Sequence, residues 1–517
     1  MAPRHDKNMT TATARPQSTL ALAALLAVAA GGAASASTWT GNGGVWSSDG
    51  SPGWNGTGVP NAVDATANFI STTVAKGITL DQTATIGTLS YSGSGNTGLT
   101  FTLTNAITFD VSSGSASISN TTTGTGSRIS FGSGTIVLND NLTISNTNTN
   151  ITTQSIIASS NFSGTSKNLT LSNAMNDLAK GVITLSGASS FTGNVLIEKG
   201  AVLIGNNTSL GNAANEVTLG SAGNGSATLV STGTTTNLAN NITVASGSGG
   251  TLLLGSNNAG ETTSTFSGTI TLNDSLTVTS VKTGAGTVAF TKAISGGGGI
   301  TKVGSGAATL SGNNTYTGAT DVNEGKLVVN GNQSTATGAV MVASGASLGG
   351  TGTLGGAVTV NGTLAPGNSI GTISTGNLAI GATGALDVEL GRDTGTPTSD
   401  RTNVTGTVTF SDGADLKLTR YTGLDNPELG DIFYLVSNDD SDTIVGEFTK
   451  LNGTNTTLSE GSEFTWNSQQ WQITYAADYN TGFTGGNDLA IQVVPEPAAL
   501  ALLLIGGVGL LRRRRTV

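Results

Sequence analysis

Two stretches of this chain repeat each other with identical internal spacing, and a fold that does not itself repeat cannot satisfy both. Leu185-Ser186-Gly187, Phe191-Thr192-Gly193, Gly200 and Val202-Leu203-Ile204 return 125 residues later as Leu310-Ser311-Gly312, Tyr316-Thr317-Gly318, Gly325 and Leu327-Val328-Val329. A second series, Gly134-Thr135-Ile136, Leu138-Asn139-Asp140 and Leu142-Thr143-Ile144, is matched 134 residues on by Gly268-Thr269-Ile270, Leu272-Asn273-Asp274 and Leu276-Thr277-Val278. The apolar runs are short, rich in β-branched residues and bounded by Gly or Asn, the pattern of strands between tight turns. No window from residue 37 to 490 sustains a helical apolar spacing. The chain therefore reads as all-β, and its degenerate repeats as the coils of a solenoid. One coil cannot bury its apolar inside alone, so coils stack and their strands pair in parallel. Coils of roughly 20 to 25 residues over residues 70–385 give about 14 coils and a rod near ~65 Å. Gly or Asn is expected in the left-handed conformation at the corners, and stacked Asn and Thr side chains are expected to hydrogen-bond along the axis.

Composition narrows the chemistry. Gly accounts for 76 of 517 residues and charged residues for 10%, against about 25% in ordinary globular domains. Cys is absent and the one histidine is His5. Without that terminus neither a thiolate nor an imidazole remains, which removes Ser-His-Asp and Cys-His catalysis and nitrogen- or sulfur-ligated metals. No cofactor is expected. Apart from its two ends the chain holds 14 basic and 29 acidic residues, a balance of −15 against −10 for the whole. Such a surface disfavours nucleic acid and anionic lipid.

Both ends read as addresses. Arg4, Lys7 and Arg15 precede an apolar run at residues 20–30 and then Ala34-Ser35-Ala36, the order of a secretory signal cut by signal peptidase after Ala36. At the other end Pro495-Glu496-Pro497 is followed by an apolar stretch at residues 498–511 and by Arg512, Arg513, Arg514 and Arg515. Fourteen residues of helix span about 21 Å, a minimal crossing of a ~30 Å hydrocarbon core. The arginines hold the terminus on the cytoplasmic side, and the prolines leave an extended hinge at the membrane face.

This tripartite tail resembles the PEP-CTERM sorting signal of exopolysaccharide-producing Gram-negative bacteria. The resemblance implies recognition by an exosortase-type processing protease, transient residence in the inner membrane through the C-terminal helix, and release to the cell surface, outer membrane or extracellular matrix. The alternative is a plain single-span anchor. The Leu-Ser-Gly, (Phe/Tyr)-Thr-Gly and Gly-bounded strand pattern, best matched at residues 299–330, resembles the autotransporter-associated β-strand repeat. That likeness implies a right-handed parallel β-helix. The chain departs from autotransporters in ending on a short span and arginines rather than a translocating barrel.

The expected organisation is a signal peptide at 1–36, a Trp-rich cap at 37–69, a β-helix at 70–385, a more charged C-terminal β cap at 386–494 and the sorting signal at 495–517. The expected function is a non-enzymatic, exported, structural or adhesive component of an exopolysaccharide matrix. A polysaccharide-binding or polysaccharide-degrading β-helix is the alternative. For binding, Trp39, Trp46 and Trp54 offer a stacking platform, against which stands a buried cap. For hydrolysis, paired carboxylates are required, but Asp140 and Asp274 follow Asn at equivalent repeat positions and read as turns. Asn438-Asp439-Asp440-Ser441-Asp442 offers oxygen donors without the spacing of an EF-hand, and reads as a solvated loop. Gly485-Gly486-Asn487-Asp488-Leu489 reads as a cap turn, and Gly296 to Gly299 as a coil corner.

Overall fold

In a computed structural model, the structure describes residues 36–496 except 48–52, 57, 233–235, 258–262, 281–286 and 440–441. Every regular element among the described residues is a strand. The strands come in sets of three per coil, and each pairs in parallel with its counterpart in the next coil. One face holds Thr88–Ser92, Ala116–Asn120, Leu142–Asn146 and Leu169–Asn173. The second holds Leu99–Leu103, Ile129–Phe131, Ile156–Ala158 and Ile183–Leu185. The third holds Ala84–Ile86, Ile107–Phe109, Thr135–Leu138 and Asn161–Ser163. The expected all-β coil stack is present. Val195–Ile204 runs through two faces, its first half pairing with Leu169–Asn173 and its second with Ile183–Leu185.

Alternation along each strand sends one residue inward and the next out. Parallel pairing then aligns like with like: Ile118 opposes Ile144, which opposes Leu171. Aromatic rings stack in the same way, Phe101 on Phe131 at 5.0 Å and Phe266 on Phe290 at 5.3 Å between centroids. These separations are close to the strand spacing of about 4.8 Å, so the rings repeat at the pitch of the backbone.

Asn and Thr fill one widened corner, as expected. Asn146 Nδ2 donates to Asn173 Oδ1 at 2.9 Å, and Asn148 Nδ2 donates to Thr122 Oγ1 at 3.0 Å, all four buried. This corner lengthens the N-terminal coils. Leu142 pairs with Leu169, an advance of 27 residues, whereas Thr320 pairs with Val340 after 20 and Val340 with Val358 after 18. Coil length is therefore broader than the expected 20 to 25.

Glycine has a second role besides the expected one. Gly200 and Gly325 do take a positive φ, of 75° and 64°. At Gly187, Gly312 and Gly318 the reason is contact. A Cβ on Gly312 would lie 2.2 Å from the Lys292 carbonyl oxygen, and on Gly187 1.9 Å from that of Ser160. Along one corner the contact repeats: Gly318 presses on Gly298, Gly338 on Gly318 and Gly356 on Gly338, with an added Cβ at 2.4, 1.9 and 1.9 Å from the backbone below. Asn rarely supplies left-handed backbone here; among non-glycine residues with positive φ, Asn452 and Asn467 are the asparagines.

Parallel pairing does not change at residues 70 and 385. Ala36–Trp39 already pairs in parallel with Thr66–Ile70, and Asp415–Arg420 still pairs in parallel with Ala385–Asp393. The composition shift near residue 386 instead marks an outward hairpin, Ala385–Asp393 with Thr396–Ser399, and more charged outer positions. Antiparallel strands cover part of each end of the stack, which hinders end-to-end pairing there. Trp54–Gly56 covers Ala36–Trp39 at one end. At the other, Asp488–Val494 pairs with Ile432–Ser437 and Gln469–Ala477, and Glu463–Trp466 completes the edge.

Candidate functional site

Of the anticipated site residues, Ala36, Pro495 and Glu496 are described, and they lie at the two ends of the stack. Pro495 and Glu496 are exposed and follow directly on Asp488–Val494, whose last residue is in register with Gln470. Pro497, residues 498–511, Arg512, Arg513, Arg514 and Arg515 lie outside the described residues, as does Ala34. Ala36 is exposed and opens the strand Ala36–Trp39. Among the described residues no helix is long and apolar enough to cross a membrane.

The tryptophans do not form a sugar platform. Trp39 and Trp46 are 1% and 0% exposed, and Trp54 packs edge-on against both, with ring centroids 5.1 and 4.9 Å away. Their faces are spent on Phe69 and Phe101. Burial wins because these rings cover the inside of the first described coil.

Asp140 and Asp274 act on turns. Asp140 accepts from the Val111 N–H at 3.0 Å and from Lys167 Nζ at 3.2 Å, and the Val111 bond is the chief reason its carboxyl sits below the usual range. Asp274 accepts from the Gly247 N–H.

Two clefts flank the outward hairpin. The first contains Lys326, Asp387, Glu389, Asp400 and Tyr421. Asp387 and Glu389 project from alternate positions of Ala385–Asp393, beside Lys417 and Thr419 of the next strand. Burial raises the Asp387 carboxyl, against the pull of Lys417. Burial also pushes Asp400 up to about 7, against two N–H donors and helped by the charges of Glu389 and Asp387. Those donors define what Asp400 does: one oxygen accepts from Gly371 N–H at 2.8 Å and the other from Glu389 N–H at 2.9 Å. It is a clamp joining the loop before Thr372 to the hairpin, with both carboxylate oxygens engaged.

The second cleft is aromatic and cationic. It is lined by Thr372, Thr398, Ser399, Arg401, Tyr434 and Tyr479, among others. The Arg401 guanidinium lies 4.3 Å from the Tyr479 ring centroid, and Tyr479 meets Tyr434 edge-on at 5.0 Å. Tyr479 is 47% exposed, and Arg401 Nε has no hydrogen-bond acceptor among the described residues. A guanidinium stacked on a half-exposed tyrosine ring suits a polyhydroxylated or acidic ligand. The sequence does not bring Tyr479 and Arg401 together, because they are 78 residues apart.

Comparison with known proteins agrees with the repeat reading. The passenger-associated transport repeat matches the chain at residues 180–204 and 300–329, the two places where the spacing put it. A stretch of 81 residues, 15% of the chain, is 49% identical to part of the adhesin BmaC autotransporter of Brucella suis biovar 1 (strain 1330). Another comparison aligns 87 residues, 16% of the chain, at 44% identity with part of an extracellular serine protease of Serratia marcescens. These alignments cover 2% and 8% of the respective relatives, so the likeness extends to a small part of each.

Proposed function

We propose that this protein is an exported β-solenoid of the bacterial surface, a structural or adhesive rod without enzymatic activity. The observation that carries this reading is the repeat itself: it forms a coil whose inside is filled by its neighbours, and a stretch of this chain resembles part of an adhesin autotransporter. Another aligned relative is named a protease, so likeness over short stretches goes with a common scaffold rather than a common reaction.

In this reading the first 36 residues are a signal peptide removed by signal peptidase. The C-terminal segment is a PEP-CTERM signal read by an exosortase-type protease, with the apolar stretch at residues 498–511 holding the inner membrane until processing. The exposure of Pro495 and Glu496 at the end of a paired strand supports it, since a protease needs extended, uncovered chain. The matrix partner is an exopolysaccharide, held at the Arg401–Tyr479 cleft.

Mass spectrometry of the mature C-terminus tests the sorting step. Cleavage near residue 497, abolished when Pro495 and Pro497 are both replaced by Ala, is the expected result. An intact Arg515 in surface-located protein refutes sorting and leaves a plain anchor.

A further inference from the structure

Three buried oxygens near the C-terminal edge have no hydrogen-bond donor among the described residues: Asn438 Oδ1, Asp442 Oδ1 and Asn487 Oδ1. Asn438 and Asn487 are only 7% and 8% exposed, so more than nine-tenths of each is withdrawn from solvent. Leaving a buried acceptor unmatched is costly, and three together call for a common explanation. They share one neighbourhood. Asn438 Nδ2 and Asn487 Nδ2 both donate to the Asp442 carbonyl oxygen, at 2.8 and 2.6 Å. With both amide nitrogens tied to one atom, the amide oxygens are the free ends.

The surrounding chain is built to hold this arrangement. Asp488 accepts from the Asn438 N–H at 2.7 Å with one oxygen and from the Tyr479 N–H at 2.6 Å with the other. It thereby ties Asn438, 50 residues away in sequence, to the turn that begins near Tyr479. Gly486 allows the chain before Asp488 to lie flat on Asp478, since a Cβ there would stand 2.4 Å from the Ala477 carbonyl oxygen. Asp442, Asp478 and Asn487 then line one cleft. Asp478 is held in place by the Asn480 N–H on one oxygen and the Thr481 hydroxyl on the other. None of the three ion pairs formed among the described residues involves Asp442 or Asp478.

We propose that Asn438, Asp442 and Asn487 form a calcium site, with Asp478 adding negative charge at its mouth. Amide and carboxylate oxygens are hard donors, and calcium accepts mixed sets of them in irregular geometry. Magnesium demands a near-octahedral shell and keeps its waters, so it fits a chain-built pocket poorly. Zinc, copper and nickel favour nitrogen and sulfur ligands, which this part of the chain lacks. The two sequence signals that read separately as a solvated loop and a cap turn thus meet in one place, although Asp442 and Asn487 are 45 residues apart. The inference stands apart from the sorting and matrix roles proposed above.

The test uses the full chain, stripped with a chelator and titrated with calcium chloride by isothermal calorimetry. One calcium per chain, no saturable heat from magnesium, and an affinity at least tenfold weaker in Asp442→Asn are expected. Terbium should show luminescence under tyrosine and tryptophan excitation of the wild-type chain and be displaced by calcium, a readout that does not depend on the variant folding. Absence of calcium heat in the wild-type chain overturns the proposal. So does terbium emission that calcium cannot displace, or a folded Asp442→Asn chain that binds calcium unchanged.

Discussion

Lys302 occupies an inward position of Ile300–Val303, in register with Val278 on one side and Val322 on the other. It is fully buried, and its ammonium donates to three carbonyl oxygens, of Val303 at 3.0 Å, Gly304 at 2.7 Å and Glu324 at 3.0 Å. Burial lowers its pKa from 10.5 to about 8, with the Glu324 carboxylate opposing the fall. At about 1.4 kcal/mol per tenfold change in proton affinity, the fall bounds the cost of the buried charge near ~3 kcal/mol. Screening at the coil edge brings the expected figure to about 2 kcal/mol. The sign follows from linkage. Between pH 8 and 10.5 the unfolded chain binds the proton more tightly than the folded one, so stability rises with pH. The cost is fully present below pH 8 and is lifted above 10.5.

Replacing Lys302 by Met removes the titrating group and restores an apolar column. Urea unfolding, followed by far-ultraviolet circular dichroism from pH 7 to 10.5, compares the two chains at each pH. Other lysines and tyrosines then cancel in the difference. Wild type should gain about 2 kcal/mol on the variant across that range. A difference that stays constant with pH refutes the reasoning, because it means the three carbonyls hold the charged form as well as water does.

Two other consequences can be measured directly. Gly318→Ala places a methyl group against the Gly298 backbone and should cost about 3 kcal/mol by overpacking, read as a lower thermal midpoint. The same substitution at Gly345, where a Cβ meets nothing within 4 Å but φ is 83°, should cost only about 1 kcal/mol of backbone strain. Tyr479→Ala should weaken retention on an immobilised acidic polysaccharide at least tenfold, whereas Trp46→Ala should change retention only through lost folding; equal binding by folded Tyr479→Ala argues against the cleft.

Much of the architecture was legible because a solenoid writes its period into the chain. The three-residue runs gave the strands, and the paired glycines gave the coil. The cause of those glycines was harder to read. Gly318 and Gly325 look alike in sequence, yet contact with the coil below is the sole requirement at Gly318, whereas Gly325 combines such contact with a positive φ. Lys302 was also hidden. A lysine within an alternating strand reads as outward, and only the three carbonyls at the corner explain why this one turns in. The reach of parallel pairing past residue 385 was missed because charge on the outer face says nothing about what the inner face packs against. Arg401 with Tyr479, and Asn438 with Asp442 and Asn487, become sites only when coils and closing strands are brought together, and no local spacing encodes that.

The glycines that touch from coil to coil give the rod a hard edge. Flexing that shortens this edge drives backbone atoms into one another and meets immediate resistance. Flexing the other way only stretches hydrogen bonds, which give gradually. Under shear the rod should therefore bow with the glycine edge outermost, and whatever it displays on the opposite flank will be drawn closer together.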